Sequence, residues 1–477
     1  MTHSYSEILS RLLNVNLSGG MKLGLHNCLQ LDYLLKHPSR AFPAIHIAGT
    51  NGKGSVSTKI AAAYQAMGLK TGLYTSPHIS CFRERIRING QMVTEEQVLE
   101  HLSTLFSIAE KHEIKATFFE LTTMLAFLFF SAEKVDIAVL ETGLGGRLDA
   151  TNIANPILSI ITSISLEHTE ILGNTIEAIA YEKAGIIKSG IPVLIGPRVP
   201  KSVIEKVAIE MGSPLMQIEG VFPDYHAENC AIAKQALNLE TAVQDGKVMQ
   251  DFELEPRPAG GDHSQKVKAP PAGSGYGSKD CINLPSSTAV SRLKYLEVPV
   301  NAIQRGLNAL PPCRLETFTD THFRTIHYPT PWPQAVILDV AHNPDGLKHL
   351  IQAVRIRYPS TPLRFVLGLS SNKDVLGCLQ VIKGAAVAFH LVEGTNGRAA
   401  PKTEVEKHLK NLAVEESRIF CEASIKKGVH HASQIAGNNH EVVVVCGTFF
   451  IMGEARQALG IKEPHDPQDM NERKSFN

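Results

Sequence analysis

A glycine-rich loop between a predicted strand and a predicted helix is the strongest chemical signal in the sequence. The segment Ala48-Gly-Thr-Asn-Gly-Lys-Gly-Ser55 follows the apolar run Ala44–Ala48. In such a loop, backbone N–H groups can surround phosphate oxygens, Lys53 can neutralise phosphate charge and the Ser55 hydroxyl can reach Mg²⁺. The spacing departs from the usual phosphate-loop pattern because Gly54 separates lysine from serine. We interpret it as a nucleotide site; the alternative is a glycine-rich turn with an incidental lysine.

A carboxylate also ends another predicted strand, where a ligand could approach it closely. Glu141 directly follows the apolar run Val135–Leu140, and α/β sheets place their ligand chemistry at strand carboxyl ends. Several glycines follow, which favour close approach of a ligand. Phosphoryl transfer from ATP suits Mg²⁺, and we expect two ions with hard oxygen ligands. The alternative for Glu141 is a solvated strand end.

Alternating strands and helices must position these groups. Runs such as Ile157–Ile161 and Ala335–Asp339 are apolar and β-branched, as strands buried on both faces are. The alternation predicts an α/β protein with a mostly parallel sheet of the phosphate-loop ATPase type, followed by a smaller Rossmann-like α/β domain.

A chain of 477 residues is too long to fold around one ordinary hydrophobic core, so at least two domains are expected. We predict an ATP-binding domain over residues 1–240 and a second α/β domain over residues 291–460. Residues 241–290 are rich in Pro, Gly and Ser, which predicts a flexible insertion, because such a composition buries too little apolar surface to offset the entropy of ordering. Residues 461–477 are predicted to form a polar tail.

The overall composition excludes several classes of protein. Lys plus Arg and Asp plus Glu number 47 each, so no global field attracts nucleic acid or an anionic membrane. The eight cysteines include no C-x-x-C pair, which argues against a zinc or redox motif and fits a reducing compartment. The start of the chain lacks the pattern of a signal peptide, and the apolar stretch Phe118–Phe130 is shorter than the about 20 residues of a membrane span. We therefore expect a cytoplasmic protein that binds neither nucleic acid nor membrane.

Further motifs make a family recognisable. With Gly49–Ser55, the chain resembles the Mur ligase superfamily, and in particular its folylpolyglutamate synthase and dihydrofolate synthase branch. The motifs that carry the resemblance, in the family's order, are Tyr74-Thr-Ser-Pro-His78, Thr117-Phe-Phe-Glu120, Glu141-Thr-Gly-Leu-Gly-Gly-Arg-Leu-Asp-Ala-Thr-Asn152, His168-Thr-Glu-Ile-Leu-Gly173, Glu182-Lys-Ala-Gly-Ile186 and Asp339-Val-Ala-His-Asn-Pro344. The long run from Glu141 to Asn152 is the most specific of them.

The resemblance implies a metal site with an unusual lysine. The implied ligands are Ser55, Ser76, Glu141, His168 and Lys183. In this superfamily the lysine that matches Lys183 is carbamylated, which converts an ammonium into an anionic oxygen donor. By residue type alone, Lys183 would be an ordinary solvated helix residue and His168 a surface or core histidine.

The resemblance also implies nucleotide contacts in both domains. They are Thr50, Asn51, Gly52, Lys53, Gly54, Ser55, Asn229, Arg314 and Asp339. Asn229 would contact the base, Arg314 would offset charge on the γ-phosphate, and Asp339 would bind the ribose. The implied catalytic residues are Lys53, His168, Lys183 and Arg314. The family has Pro-Gly-Arg where this chain has Pro-Cys-Arg, so a different turn is possible at Cys313.

The implied acceptor site would hold a pterin carboxylate. Its residues are Met21, Lys22, Leu23, Thr117, Phe118, Phe119, Glu120, Leu148, Asp149 and Ala150. A phenylalanine can stack on the pterin and a carboxylate can accept its N–H donors. Helix core is the alternative for one of the two phenylalanines, and Lys22 stands where the family often has an acidic residue.

The implied activity is an ATP- and Mg²⁺-dependent ligase that adds L-glutamate to dihydropteroate and to reduced folates through an acyl phosphate. The expected partners are these small molecules, and the expected state is a monomer. Two alternatives remain open at this point: a cell-wall UDP-muramoyl peptide ligase of the same superfamily, and a non-catalytic nucleotide-binding module.

Overall fold

The computed structural model describes residues 4–15, 24–244, 299–394 and 397–466. Two sheets organise these ranges. Their strands are β1 (Ala44–Ala48), β2 (Thr71–Tyr74), β3 (Ile86–Ile88), β4 (Gln91–Met92), β5 (Ile137–Glu141), β6 (Pro156–Ile161), β7 (Val193–Ile195), β8 (Leu215–Gln217), β9 (Glu316–Phe318), β10 (Ala335–Leu338), β11 (Leu363–Leu367), β12 (Ala386–Leu391), β13 (Ile419–Cys421) and β14 (Val442–Cys446).

Helices cover both sheets. In the described ranges they are α1 (Tyr5–Asn14), α2 (His26–Leu34), α3 (Lys53–Ala66), α4 (Glu95–Lys111), α5 (Phe118–Ala132), α6 (Thr169–Leu172), α7 (Ile176–Ala184), α8 (Lys201–Met211), α9 (Tyr225–Gln244), α10 (Val300–Asn308), α11 (Asp320–Thr325), α12 (Pro344–Arg357), α13 (Val375–Ile382), α14 (Lys402–Asn411), α15 (Ile425–Asn439) and α16 (Met452–Ala458).

The first sheet has eight strands in the order β4-β3-β2-β5-β1-β6-β7-β8. The pairs from β2 through β5, β1, β6 and β7 to β8 are parallel, whereas the edge pairs β2–β3 and β3–β4 are antiparallel. The second sheet has six strands in the order β13-β12-β11-β14-β10-β9, and all its pairs except β9–β10 are parallel. The predicted pair of α/β domains with mostly parallel sheets is confirmed.

Period-two alternation gives the first sheet two buried faces. Ile45 and Ile47 of β1 point toward α3 and α9, whereas Ala44 contacts the layer of α1, α2, α4 and α5. Side chains that follow one another along a strand point to opposite faces, so both faces of a central strand must be apolar. The second sheet is covered on both faces in the same way.

Helix α10 belongs to a different domain from the one that the predicted boundary assigns it to. Residue 291 was the predicted start of the second domain, yet α10 packs on α3 of the first domain, with Ile303 and Leu307 against that domain's core. Its apolar face is covered there, so α10 belongs to the first domain. The sheet of the second domain begins with β9 at Glu316. The predicted insertion at 241–290 lies outside the described residues, apart from the last turn of α9.

Residues 461–466, predicted to begin a polar tail, fold back onto the first domain. Asp466 accepts hydrogen bonds from the Phe82 backbone N–H at 2.6 Å and from the Tyr5 hydroxyl at 3.2 Å. Glu463 pairs with Arg456 and receives the Ser80 hydroxyl. These polar side chains are thus used in contacts between the domains.

None of the described helices is both long enough and apolar enough to cross a bilayer.

Candidate active site

The predicted phosphate loop lies between β1 and α3. Gly52 takes a left-handed φ of 89°, which places it just before the first residue of α3, Lys53. Glycine adopts this conformation without the steric cost other residues pay. The open amino-terminal end of α3 offers unpaired backbone N–H groups, and these favour an anion.

A neighbouring strand end holds the loop in shape. The Thr50 backbone N–H donates to Ser163 O at 2.8 Å, and the Thr162 hydroxyl donates to Asn51 O at 2.7 Å. The Lys53 ammonium donates to Gly49 O at 3.0 Å and to Thr50 O at 3.2 Å, so it lies curled over the loop. These contacts hold the loop in its shape.

Lys183 reaches the same loop from α7. Its side chain is buried, and Nζ donates to Gly49 O at 2.9 Å. Burial, with the nearby Lys53 ammonium, lowers the pKa of Lys183 to about 7. A substantial neutral fraction of this amine therefore exists at neutral pH. The solvated helix residue that its type suggests is not what the structure shows.

Glu141 lies at the carboxyl end of β5, beside the loop. Its Oε2 accepts the Ser76 backbone N–H at 3.1 Å, and a Cβ on Gly54 would lie 3.3 Å from the same oxygen. Burial raises the pKa of this carboxyl, while Lys53 and the Ser76 N–H act in the opposite direction. A buried carboxylate oxygen next to the Ser55 turn is a donor set that fits a hard divalent cation.

His168 contacts the second domain. Its Nε2 lies 3.3 Å from the Lys373 ammonium, which pairs with Glu167 Oε1 at 2.6 Å. The His342 Nε2 is 3.0 Å from the same Glu167 oxygen. Burial and Lys373 lower the pKa of His168 to about 3, so its imidazole is neutral; the lone pair on Nε2 faces the Lys373 ammonium and could bind a metal only after that ammonium moved away.

The predicted base contact, Asn229, lies directly behind the phosphate loop. A Cβ on Gly52 would lie 2.4 Å from Asn229 Oδ1, so glycine is required for this approach. The predicted ribose contact, Asp339, is buried and already accepts the Tyr225 hydroxyl at 2.7 Å and the Leu315 N–H at 2.8 Å. Asp339 thus also fixes the turn that carries Arg314.

Arg314 lines one cleft with Gly54, Ser76 and Glu141, and its guanidinium lies 5.2 Å from the Phe449 ring centroid. The neighbouring Cys313 has a φ of 55°, which is the conformation that glycine would take most easily. The turn therefore keeps the left-handed shape despite the cysteine.

The predicted acceptor residues divide into two groups. Thr117 and Glu120 cap α5, because each side chain bonds the other's backbone N–H, and Glu120 also accepts from Asn27 Nδ2 at 3.2 Å. Phe118 is fully buried, whereas Phe119 packs over Gly143, where a Cβ would meet its ring at 2.3 Å. Phe118 is core, and Phe119 lies against the glycine loop that follows Glu141.

The remaining acceptor residues surround that loop. Asp149 is buried and accepts the Gly143 and Leu144 N–H groups at 2.9 Å and 2.8 Å. Leu148 is half-buried and Ala150 is buried beside it. Met21, Lys22 and Leu23 lie outside the described residues.

Sequence reasoning missed several residues that join the domains at this site. Asp345 accepts the Asn51 Nδ2 at 3.0 Å and pairs with Arg198 at 3.2 Å, while Lys373 and Glu167 form the pair described above. Glu167 directly precedes the His168 motif and Asp345 directly follows the Asp339 motif. Their position beside these motifs could have marked them as site residues. Lys373 stands in a polar loop after β11 with no such signal.

A separate cluster in the second domain has ligand types but lacks the right donors. His390 Nδ1 and His431 Nδ1 lie 2.6 Å and 2.7 Å from one Glu422 oxygen. Arg364 donates to His390 Nε2 at 3.2 Å, which keeps the proton of the neutral imidazole on Nδ1. That nitrogen has no lone pair for a cation, so the cluster is a hydrogen-bonded group.

Comparison with known proteins adds family evidence to this geometry. Residues 47–193 match the family model "Mur ligase middle domain", and residues 326–449 match "Mur ligase, glutamate ligase domain". A folylpolyglutamate synthase from Lacticaseibacillus casei is 32% identical over 454 residues, which cover 92% of this chain and 95% of the relative. The chain belongs to the folylpolyglutamate synthase and dihydrofolate synthase family.

Solved structures of this family superpose on the whole fold. E. coli FolC in complex with DHPP and ADP is 26% identical with a TM-score of 0.74, covering 96% of this chain and 98% of that one. A bifunctional folylpolyglutamate synthase/dihydrofolate synthase with Mn, AMPPNP and L-glutamate bound is 26% identical with a TM-score of 0.72, covering 97% and 100%. The Mur ligase fold and membership among ATP-dependent ligases are therefore shown.

Proposed function

We propose that this protein joins L-glutamate to dihydropteroate and to reduced folates at the expense of ATP. The observation that carries the proposal is the convergence of Lys53, Glu141, Lys183 and Arg314 on one phosphate loop between two domains. Such a site suits phosphoryl transfer, in which positioning and charge stabilisation account for most of the catalysis.

The reaction has two steps, formation of an acyl phosphate and formation of the amide bond. An oxygen of the acceptor carboxylate attacks the γ-phosphorus of ATP, the bond to the β-phosphate oxygen breaks, and ADP and an acyl phosphate result. The neutral amine of glutamate then attacks the acyl carbon, phosphate leaves with the electron pair of the C–O bond, and the amine nitrogen loses a proton. Phosphate serves as the leaving group that a bare carboxylate lacks.

The chain's own residues have distinct tasks in these steps. Lys53 offsets phosphate charge within the loop, and Arg314 approaches from the turn between the domains. Asn229 and Asp339 mark the base and ribose sides. Phe119 and the loop around Asp149 border the acceptor. Two domains that enclose the site limit hydrolysis of the acyl phosphate by water.

Ser55, Ser76, Glu141, His168 and Lys183 would hold divalent cations, which supply charge neutralisation of the triphosphate. We propose that Lys183 does so as a carbamate. Its buried amine has a lowered pKa, and carbon dioxide reacts only with a neutral amine. The product would place an anionic oxygen beside Gly49, where an ammonium would repel a cation.

The decisive assay uses purified protein, ATP, Mg²⁺ and L-glutamate with dihydropteroate or tetrahydrofolate. Phosphate release that requires both glutamate and a folate-type acceptor is expected, with both acceptors used. Turnover of a UDP-muramoyl peptide instead would favour a cell-wall ligase, and binding of ATP without any ligation would favour a non-catalytic module. Lys53→Ala is the matched inactive control.

A further inference from the structure

Lys59 is a buried cation that the reaction as described does not use. It lies on α3, six residues after Lys53, and its side chain is fully buried. Nζ donates to Leu307 O at 2.5 Å and to Ala309 O at 3.0 Å. Burial lowers its pKa, and two carbonyl acceptors offset part of the cost of removing the ammonium from water.

Those two carbonyls stand at the carboxyl end of α10. The last carbonyls of a helix have no partner within the helix, and a cation there is favoured by the helix dipole. The α10 backbone is held close to α3, since a Cβ on Gly306 would lie 2.6 Å from both Ala63 Cβ and Lys59 O. Lys59 therefore fixes both the position of α10 on α3 and the point where the helix ends.

Arg314 follows that point by only five residues. Leu310, Pro311, Pro312 and Cys313 lie between, and the first three line the same cleft as Arg314, Gly54 and Glu141. Each proline fixes its own φ, so this connection is short and stiff. A shift of Ala309 would therefore strain the turn that carries Arg314, which Asp339 holds from the second domain.

We infer that Lys59 is a positioning residue for Arg314, which links the helix of the phosphate loop to the arginine that acts on the transferred phosphate. The inference depends on the catalytic role of Arg314 in the proposed function. An alternative is that Lys59 only stabilises the carboxyl end of α10. That role would affect the stability of the fold and leave the effect of Arg314 untouched.

A double-mutant cycle separates the two roles. Lys59→Met, Arg314→Ala and the double variant are compared for kcat, KM for ATP and urea unfolding. We expect Lys59→Met to lower kcat about tenfold with the KM for ATP changed less than about twofold, a transition-state effect of about 1.4 kcal/mol. In the Arg314→Ala background, the same change should cost less than about twofold. Rescue of kcat by Lys59→Arg, which retains a donor, is also expected.

Two further variants provide an independent displacement of α10 and a control. Gly306→Ala pushes α10 away from α3, because the added Cβ would meet Ala63 and the Lys59 carbonyl, and it should lower kcat without removing a charged group. It replaces Lys59→Met if that variant fails to fold. Lys70→Met is the control, because among the described residues the Lys70 ammonium pairs with the half-exposed Glu133 at 2.7 Å, away from the cleft, and full activity is expected.

The outcomes distinguish this inference from the proposed function. Full kcat in folded Lys59→Met and Gly306→Ala variants overturns the inference, and so do multiplicative losses in the double variant. Full activity of Arg314→Ala would instead remove Arg314 from the proposed mechanism, and the role of Lys59 would be lost with it.

Discussion

Asn51 of the phosphate loop donates a hydrogen bond from Nδ2 to Asp345 Oδ2 of the second domain, 3.0 Å away. Asn343 Nδ2 donates in turn to Asn51 Oδ1 at 3.2 Å. The nucleotide loop is therefore in direct contact with the amino-terminal turn of α12. Closure of the domains and the shape of the loop are coupled through these side chains.

Asp345→Ala should weaken that coupling. The change removes the acceptor for Asn51 and leaves Arg198 with one carboxylate partner fewer, so we expect kcat/KM for ATP to fall about tenfold, which corresponds to about 1.4 kcal/mol. Steady-state kinetics with varied ATP measure this. Asp320→Ala is the control, since that exposed carboxylate pairs with Arg324 of its own helix. Unchanged kinetics in Asp345→Ala would show that the contact has no role in turnover.

Gly52→Ala should abolish nucleotide binding. Its Cβ would lie 2.4 Å from Asn229 Oδ1, in addition to the strain of a φ of 89°. Gly68→Ala is a close control, because Gly68 has a φ of 84° but nothing within 4 Å of the added Cβ. Equilibrium binding of an ATP analogue should be lost only in the first variant. Equal loss in both would assign the effect to backbone strain alone.

The adjacent phenylalanines should behave differently when truncated. Phe118 is fully buried, so Phe118→Ala should lower the free energy of unfolding by about 3–5 kcal/mol. Phe119 borders the Gly143 loop, so Phe119→Ala should mainly raise the KM for the folate-type acceptor. Urea unfolding and acceptor kinetics of both variants check the division. An unchanged acceptor KM in Phe119→Ala would place the pterin elsewhere.

Lys183→Ala should be nearly inactive, and a small carboxylate such as acetate should restore part of the rate by supplying an anionic oxygen. Lys188→Ala is the control: this lysine of the same region donates to Asn152 O at 2.8 Å, and acetate should not change its rate. Mass spectrometry of the wild-type protein under carbon dioxide should detect the carbamate on Lys183. Full activity of the alanine variant without added carboxylate would refute the assignment.

The lowered pKa of Lys188 leads us to expect that the free energy of unfolding depends on pH. Burial lowers its pKa to about 8, below the about 10.4 of an exposed lysine. Between these values the unfolded chain binds more protons than the folded one, so the free energy of unfolding should rise with pH from about 8 to 10. Lys188→Met should show a smaller rise in urea unfolding over that window. Identical slopes would indicate that Lys188 keeps its ordinary pKa when folded.

Local sequence patterns were enough to predict the α/β fold and the strands that lead into the candidate site. The strands before Gly49 and Glu141 were predicted from apolar runs, because central parallel strands are buried on both faces. Residue type could not reveal that Lys59 and Lys183 are buried, since lysines are mostly exposed and the acceptors of Lys59 lie 248 and 250 residues away. The place of α10 was missed for a related reason: which sheet covers an amphipathic helix is decided by tertiary packing.

The packing of α9 and α10 on the same helix, α3, has a consequence for how the polypeptide can be divided. Residue 244 ends one of these helices and residue 300 begins the other, and the two also contact each other. Two polypeptides, residues 1–244 and 299–477, would therefore meet through an interface that already exists within the single chain. Each would carry part of the proposed catalytic centre, with Lys53 on one and Arg314 on the other, so recovery of ligation on mixing would report their association.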